Sequence, residues 1–123
     1  MISSYKDLIV WQKSMTLVKT IYLETQLFPA SEHYGLVNQM RRAAVSIPSN
    51  IAEGQARDSS ADFYRFLSIA CGSLAELETQ VLIAESLGYL EKAKTEAILA
   101  LVSEIGKMMN TLMKKIALHK ETH

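Results

Sequence analysis

Residues Gln39–Gly54, QMRRAAVSIPSNIAEG, decide how this chain is read. The stretch opens as an amphipathic helix with two adjacent arginines, passes through Pro48 and ends in a polar cluster closed by Gly54. Val37, Met40, Ala44, Ile47 and Ile51 recur at alternating steps of three and four residues, the apolar stripe of a packed helix. The stripe keeps its phase across Pro48, which predicts one helix kinked near Ser46-Ile47-Pro48. A proline in a helix interior removes a donor and crowds the carbonyl four residues back, at a cost of about 3 kcal/mol. Ser46, Ser49 and Asn50 stand where they could satisfy the freed backbone groups, and Gly54 reads as a helix stop. Asn50, Glu53 and Gly54 admit two readings: a polar site beside the kink, or a network that fixes the following turn. The second is preferred.

The same spacing recurs on both sides. Upstream, Leu8, Trp11, Met15, Val18 and Tyr22 form a stripe behind the cap Ser4, and Phe28-Pro29 ends the helix. Ser31 or a neighbour would cap the helix that carries the central stretch. Downstream, Asp58, Ser59 and Ser60 open a long helix striped by Phe63, Leu67, Ala70, Leu74, Leu77, Val81 and Ala84. Leu87-Gly88 stops it. A last helix carries Ile98, Leu101, Ile105, Met108 and Leu112, with the terminal HKETH frayed. The expected helices span about 5–28, 32–54, 59–87 and 91–118. Short connections make neighbours antiparallel, so the expected fold is all-α: one up-down-up-down four-helix bundle over residues 1–123.

Composition narrows the functional classes. The chain has 123 residues, 49% of them hydrophobic, enough for one domain with one core. No run of about 18 apolar residues suggests a membrane span, and the N-terminus lacks a signal-peptide pattern, so a cytoplasmic protein is expected. Thirteen basic and thirteen acidic residues cancel, which excludes a globally basic nucleic-acid binder but not a local patch. Leu8-Ile9-Val10-Trp11, then Tyr64, Phe66, Ile69, Cys71 and Ala75, then Val102, Met109, Met113 and Ile116 exceed what one bundle core needs. Apolar surplus of this kind is covered by a partner, and a homo-oligomer is the favoured cover.

Catalytic chemistry finds no support. The histidines are His33, His119 and His123, and no Glu-x-x-His or Cys-x-x-Cys occurs, so no metal or other cofactor is expected. Cys71-Gly72-Ser73 falls inside a helix without a histidine nearby; Gly72 and Ser73 read as small residues that let another helix approach. Glu76 and Glu78, two apart, cannot share a helix face. The arginines are the candidate functional residues: Arg41, Arg42, Arg57 and Arg65 all lie in the middle of the chain. In a monomer they would be surface ion pairs with Glu53, Asp58 and Asp62. Repeated around a symmetric ring, they would form a phosphate-binding patch.

QMRRAAVSIPSNIAEG resembles the most recognisable motif of the bacterial four-helix-bundle proteins encoded in intervening sequences of 23S ribosomal RNA genes, also labelled S23 ribosomal proteins. YKDLIVWQKSM, FPASEHYGL, FYRFLSIACGSLAELETQ and LGYL match in the same order, so the resemblance covers Tyr5 to Leu90. It implies an antiparallel four-helix bundle. It also implies kinship with the accessory variability determinant proteins of diversity-generating retroelements, pentameric rings with a basic surface that associate with nucleic acid and reverse transcriptase. By resemblance, then, the chain is expected to be a non-enzymatic homopentamer that binds structured RNA or DNA weakly through Arg41, Arg42, Arg57 and Arg65. The competing expectation is a protein-interaction scaffold with no direct nucleic-acid role.

Overall fold

A computed structural model describes residues 4–122. Four helices carry the fold: α1 Ile9–Thr25, α2 Leu36–Ala56, α3 Ser60–Ser86 and α4 Lys92–Thr122. Short 3-10 turns, Tyr5–Asp7 and Ala30–Glu32, precede the first two, and no strand occurs among the described residues. Each helix packs on the next and α1 closes on α4. Cross-helix partners run in opposite chain directions. Ser46 meets Ser73 while Gly54 meets Phe66, and Lys13 meets Glu104 while Glu24 meets Lys94. The bundle is therefore antiparallel throughout.

The helix ends follow local chemistry. Ser4 accepts from the Lys6 amide, and Ser59 caps α3 through the Asp62 amide. At the far end of α3, Gly88 takes φ +81°, with Gly88 N–H bonded to Glu85 O and Tyr89 N–H to Ala84 O, both at 2.9 Å. That pair of bonds is a Schellman stop, and the positive φ explains the glycine. α2 starts later than expected. Residues Ala30–Glu32 form their own turn, Gly35 is the N-cap, and Glu32 rather than Ser31 supplies the acceptor: its Oε1 takes the Leu36 amide at 3.2 Å. Oε2 of the same carboxylate accepts from the Tyr89 hydroxyl at 3.0 Å, tying the α1–α2 connection to the α3–α4 connection.

The stripes of α2 and α3 form the core as read, apart from Phe63, which is only partly buried. Beyond Leu8, which is buried as read, the α1 stripe is turned by about one residue, and the α4 stripe keeps Ile98 and Ile105 but takes Val102 and Met109 in place of Leu101 and Met108. On α1 the buried line is Val10, Ser14, Leu17, Ile21 and Thr25, while Met15 is 44% and Tyr22 39% exposed. Ser14 and Thr25 can face the core because each hydroxyl donates to the carbonyl four residues back, at 2.7 and 2.6 Å. On α4, Ile98, Val102, Ile105 and Met109 are buried, and Leu101, Met108 and Leu112 flank them. Phe66, Val102 and Met109, read as surplus, thus belong to the core, whereas Ile9, Tyr64 and Ile69 stay exposed.

α2 runs unbroken through Pro48 and ends two residues beyond Gly54. Gly54 is no stop. A Cβ there would lie 2.7 Å from Phe66 Cβ and 3.1 Å from Phe63 Cδ1, so glycine is required by the close approach of α3. Gly72 is the reverse case, with nothing within 4 Å of its notional Cβ. α4 stays helical past Leu118 to Thr122; the side chains of 119–122, with His119 and Lys120, and all of His123 lie outside the described residues. α3 is long and apolar enough to cross a membrane by length and composition. Here its apolar face packs on α2 and α4, while Glu76 and Glu78 sit on its exposed side.

Candidate nucleic-acid interface

The four arginines do not share one patch. Arg41 is built into the fold. Its Nε donates to Thr25 Oγ1 at 3.0 Å and a terminal nitrogen to Tyr22 O at 3.3 Å, while the guanidinium lies 4.5 Å from the Tyr22 ring centre. It adds a donor at the C-terminal turn of α1, where a cation is favoured and Tyr22 O also accepts from the Gln26 amide at 3.3 Å. Arg57 and Arg65 meet around one ring: their guanidinium carbons lie 5.1 and 4.7 Å from the Phe66 centroid. Each also holds an acid of its own helix region, Arg57 with Glu53 at 3.1 Å and Arg65 with Asp62 at 3.8 Å. These exposed pairs are worth at most about 1 kcal/mol and can exchange for another anion. Fifteen residues of helix separate Arg42 from Arg57, roughly 22 Å.

Arg42 differs from the other three. It is exposed and, among the described residues, has neither an ion pair nor a hydrogen bond. It lines a groove of about 350 Å³ between α2 and α3. Asn38, Arg42 and Ser46 face it from α2 at four-residue steps, and Ser73, Glu76 and Gln80 from α3. At its floor Ser46 Oγ and Ser73 Oγ lie 2.8 Å apart, and Asn50 Nδ2 donates to Ser46 O and Oγ at 2.8 and 2.9 Å. Ser46 and Asn50 thus bond to one another and across to α3; the carbonyl left without a donor by Pro48 is that of Ala44. Gln80 is only 6% exposed, and its Oε1 has no donor.

Of these groove residues, sequence reasoning passes over Gln80 and weighs Ser73 only as a helix-contact residue and Glu76 only as an acid without a partner acid. The signal was present: a polar stripe at three- and four-residue steps on α3, matching Asn38, Arg42, Ser46 and Asn50 on α2. Of the remaining motif residues, Glu53 serves Arg57. Ser49 and Pro48 line a second, apolar groove of about 340 Å³ with Trp11, Met15, Val18 and Val45. No group of three or more metal-ligating side chains occurs among the described residues. Cys71, whose thiol donates to Met113 Sδ at 3.8 Å, has its pKa pushed up by burial, the opposite of an activated nucleophile.

Residues 6–111 match a family model described as the 23S rRNA-intervening sequence protein. Among solved structures, the chain is similar to a protein of unknown function from the S23 ribosomal protein family of Bacteroides thetaiotaomicron. The two are 27% identical with a TM-score of 0.78, over 86% of this chain and 96% of that one. No curated protein matches.

Proposed function

Because this chain belongs to the 23S rRNA-intervening sequence protein family, we propose that it is a non-enzymatic bundle that binds structured RNA or DNA weakly, as a homo-oligomer in the cytoplasm. The observation that carries the reading is Arg42, an exposed guanidinium without an acid partner in a polar groove between two helices. A free cation gains most from phosphate, since no existing ion pair must break first. Arg57 and Arg65 extend the cationic surface around Phe66. Zero net charge keeps the binding weak. The exposed apolar residues Ile9, Met15, Tyr64 and Ile69 support self-association, with a pentamer as the expected ring. Repetition of Arg42 around a ring would multiply a contact that is weak in one copy.

The test is a salt series with duplex and hairpin RNA and DNA. Arg42→Ala should weaken binding and reduce the salt slope, with Arg57→Ala adding to the effect; unchanged affinity and slope would remove these residues from the interface. A second reading, a protein-interaction scaffold, draws on the apolar groove of Trp11, Met15, Val18, Val45 and Pro48. Partners retained after nuclease treatment favour it, and loss of every partner counts against it. Light scattering after size exclusion checks the assembly; a clean monomer overturns it.

A further inference from the structure

We infer that the cavity between the end of α1 and the start of α2 binds a small carboxylic acid with an apolar body, a site that stands apart from the nucleic-acid reading above. The carrying observation is the way Arg41 is held. Its Nε donates to Thr25 Oγ1 at 3.0 Å and its Nη2 to Tyr22 O at 3.3 Å. Both bonds lie on one edge of the planar guanidinium. The plane is thereby fixed, and the edge between the two terminal nitrogens stays open. Arg41 is partly buried, yet no carboxylate pairs with it among the described residues. A cation drawn partly out of water gains from an anion on its open edge, and a carboxylate matches that edge with two parallel hydrogen bonds.

The space for such a ligand lies beside it. Arg41 and its partner Thr25 line one cavity of about 390 Å³, and Nε lies only 3.0 Å from Thr25, so the guanidinium stands at the cavity wall. His33 and Gln26 add donors to the rim, while Phe28 and Val37, both buried in the core, supply an apolar floor. No Asp or Glu is among the lining residues. The volume is that of a small-molecule site. Phosphate fits less well. One permanent cation faces the cavity, its floor is apolar, and the carbonyls of the last α1 turn disfavour a second negative charge at this end.

The experiment is titration of isotope-labelled protein with phenylacetate, followed by heteronuclear NMR, beside phenylacetamide and inorganic phosphate at constant ionic strength. Phenylacetate should move the Arg41 Nε–H resonance and the amides of Gln26 and Val37. It should bind about tenfold or more tightly than phenylacetamide, which keeps the ring and loses the charge. Arg41→Lys keeps a cation but loses the fork, and His33→Glu sets an acid on the rim; each should weaken binding about tenfold. His33 is exposed, so His33→Glu should leave the thermal midpoint unchanged, and loss of binding there is not loss of fold. Equal binding of the acid and the amide overturns the proposal, because the cavity then takes apolar matter alone. Phosphate bound as tightly as phenylacetate overturns the choice of a carboxylate. Resonance shifts confined to other parts of the chain, binding that survives both variants, or no binding of phenylacetate overturns the site.

Discussion

Gly54→Ala should destabilise this protein, although alanine is the better helix former. In an open helix the exchange gains about 1 kcal/mol. Here the new Cβ would sit 2.7 Å from Phe66 Cβ, 3.1 Å from Phe63 Cδ1 and 3.3 Å from Phe63 O. Carbon atoms prefer separations of about 3.5–4.0 Å. Phe66 Cβ is fixed to the α3 backbone and cannot swing aside, so the helices must part by about 1 Å. Parting them loosens Ile51, Leu67 and Ala70, all 0% exposed. Overpacking of this kind costs about 1–3 kcal/mol, and more where backbone must move. Because Phe66 Cβ is fixed to backbone, the cost lies at the upper end, about 2–3 kcal/mol, and less the propensity gain of about 1 kcal/mol a net loss of about 1–2 kcal/mol is expected. With an unfolding entropy near 0.26 kcal/mol/K for a chain of this size, the midpoint should fall by about 4–8 °C. Gly72→Ala is the internal control: its Cβ meets nothing within 4 Å, so it should gain about 1 kcal/mol. Urea and thermal unfolding followed by circular dichroism, at two protein concentrations, measures both. A Gly54→Ala variant as stable as the parent would refute the close α2–α3 contact.

Arg41→Ala should cost about 1–2 kcal/mol in urea unfolding, because Thr25 and Tyr22 O lose a charged donor and the Tyr22 ring its cation. Arg42→Ala should stay within about 0.5 kcal/mol, and equal losses at the two positions would contradict their assignment. Tyr89 has its pKa raised above 10.0 by its hydrogen bond to the Glu32 carboxylate, then by burial and by the charge of Glu32. The phenol therefore binds its proton more tightly when folded. Its stabilising contribution is fully present below pH 10 and is lost as pH rises through the raised value. Tyr89→Phe should flatten that alkaline decline; an unchanged stability profile above pH 10 would count against the bond. Cys71, with its thiol pKa raised by burial, should alkylate more slowly with iodoacetamide at neutral pH than free cysteine does, and a rate at or above that of free cysteine would contradict its placement.

The four helices were legible because each carries a strong apolar stripe, and on α2 and α3 the stripe consists of aliphatic residues with few rivals. α1 misled for a chemical reason. Trp11, Met15 and Tyr22 are larger and more apolar than Ser14 and Thr25, yet the small hydroxyl residues face the core because they satisfy themselves on their own helix. On α4, Leu101-Val102 and Met108-Met109 are neighbouring pairs of near-equal hydropathy, and only packing against α1 and α3 chooses between them. At the site, the arginines stood out by type, but type does not distinguish Arg41, held by Thr25, from Arg42, which has no ion pair or hydrogen bond among the described residues. Gln80 was hidden because an uncharged amide between Leu77 and Val81 looks like a flank of the core; its orphaned oxygen exists only once the helices are assembled.

The link between Glu32 and Tyr89 also bears on the order of assembly. It joins residues 57 apart, and the Glu24–Lys94 pair at the same end joins residues 70 apart. The α2–α3 hairpin instead closes through a connection of three residues between Ala56 and Ser60. Loop closure grows costlier with separation, so the hairpin is the natural nucleus, and the α1–α4 seam is completed after it. Pulse-labelled amides should gain protection in α2 and α3 before α1. The motif around Pro48 thus lies in the half of the molecule that organises first, and the α1–α4 seam, with its Glu24–Lys94 pair, closes last beside the Glu32 clasp.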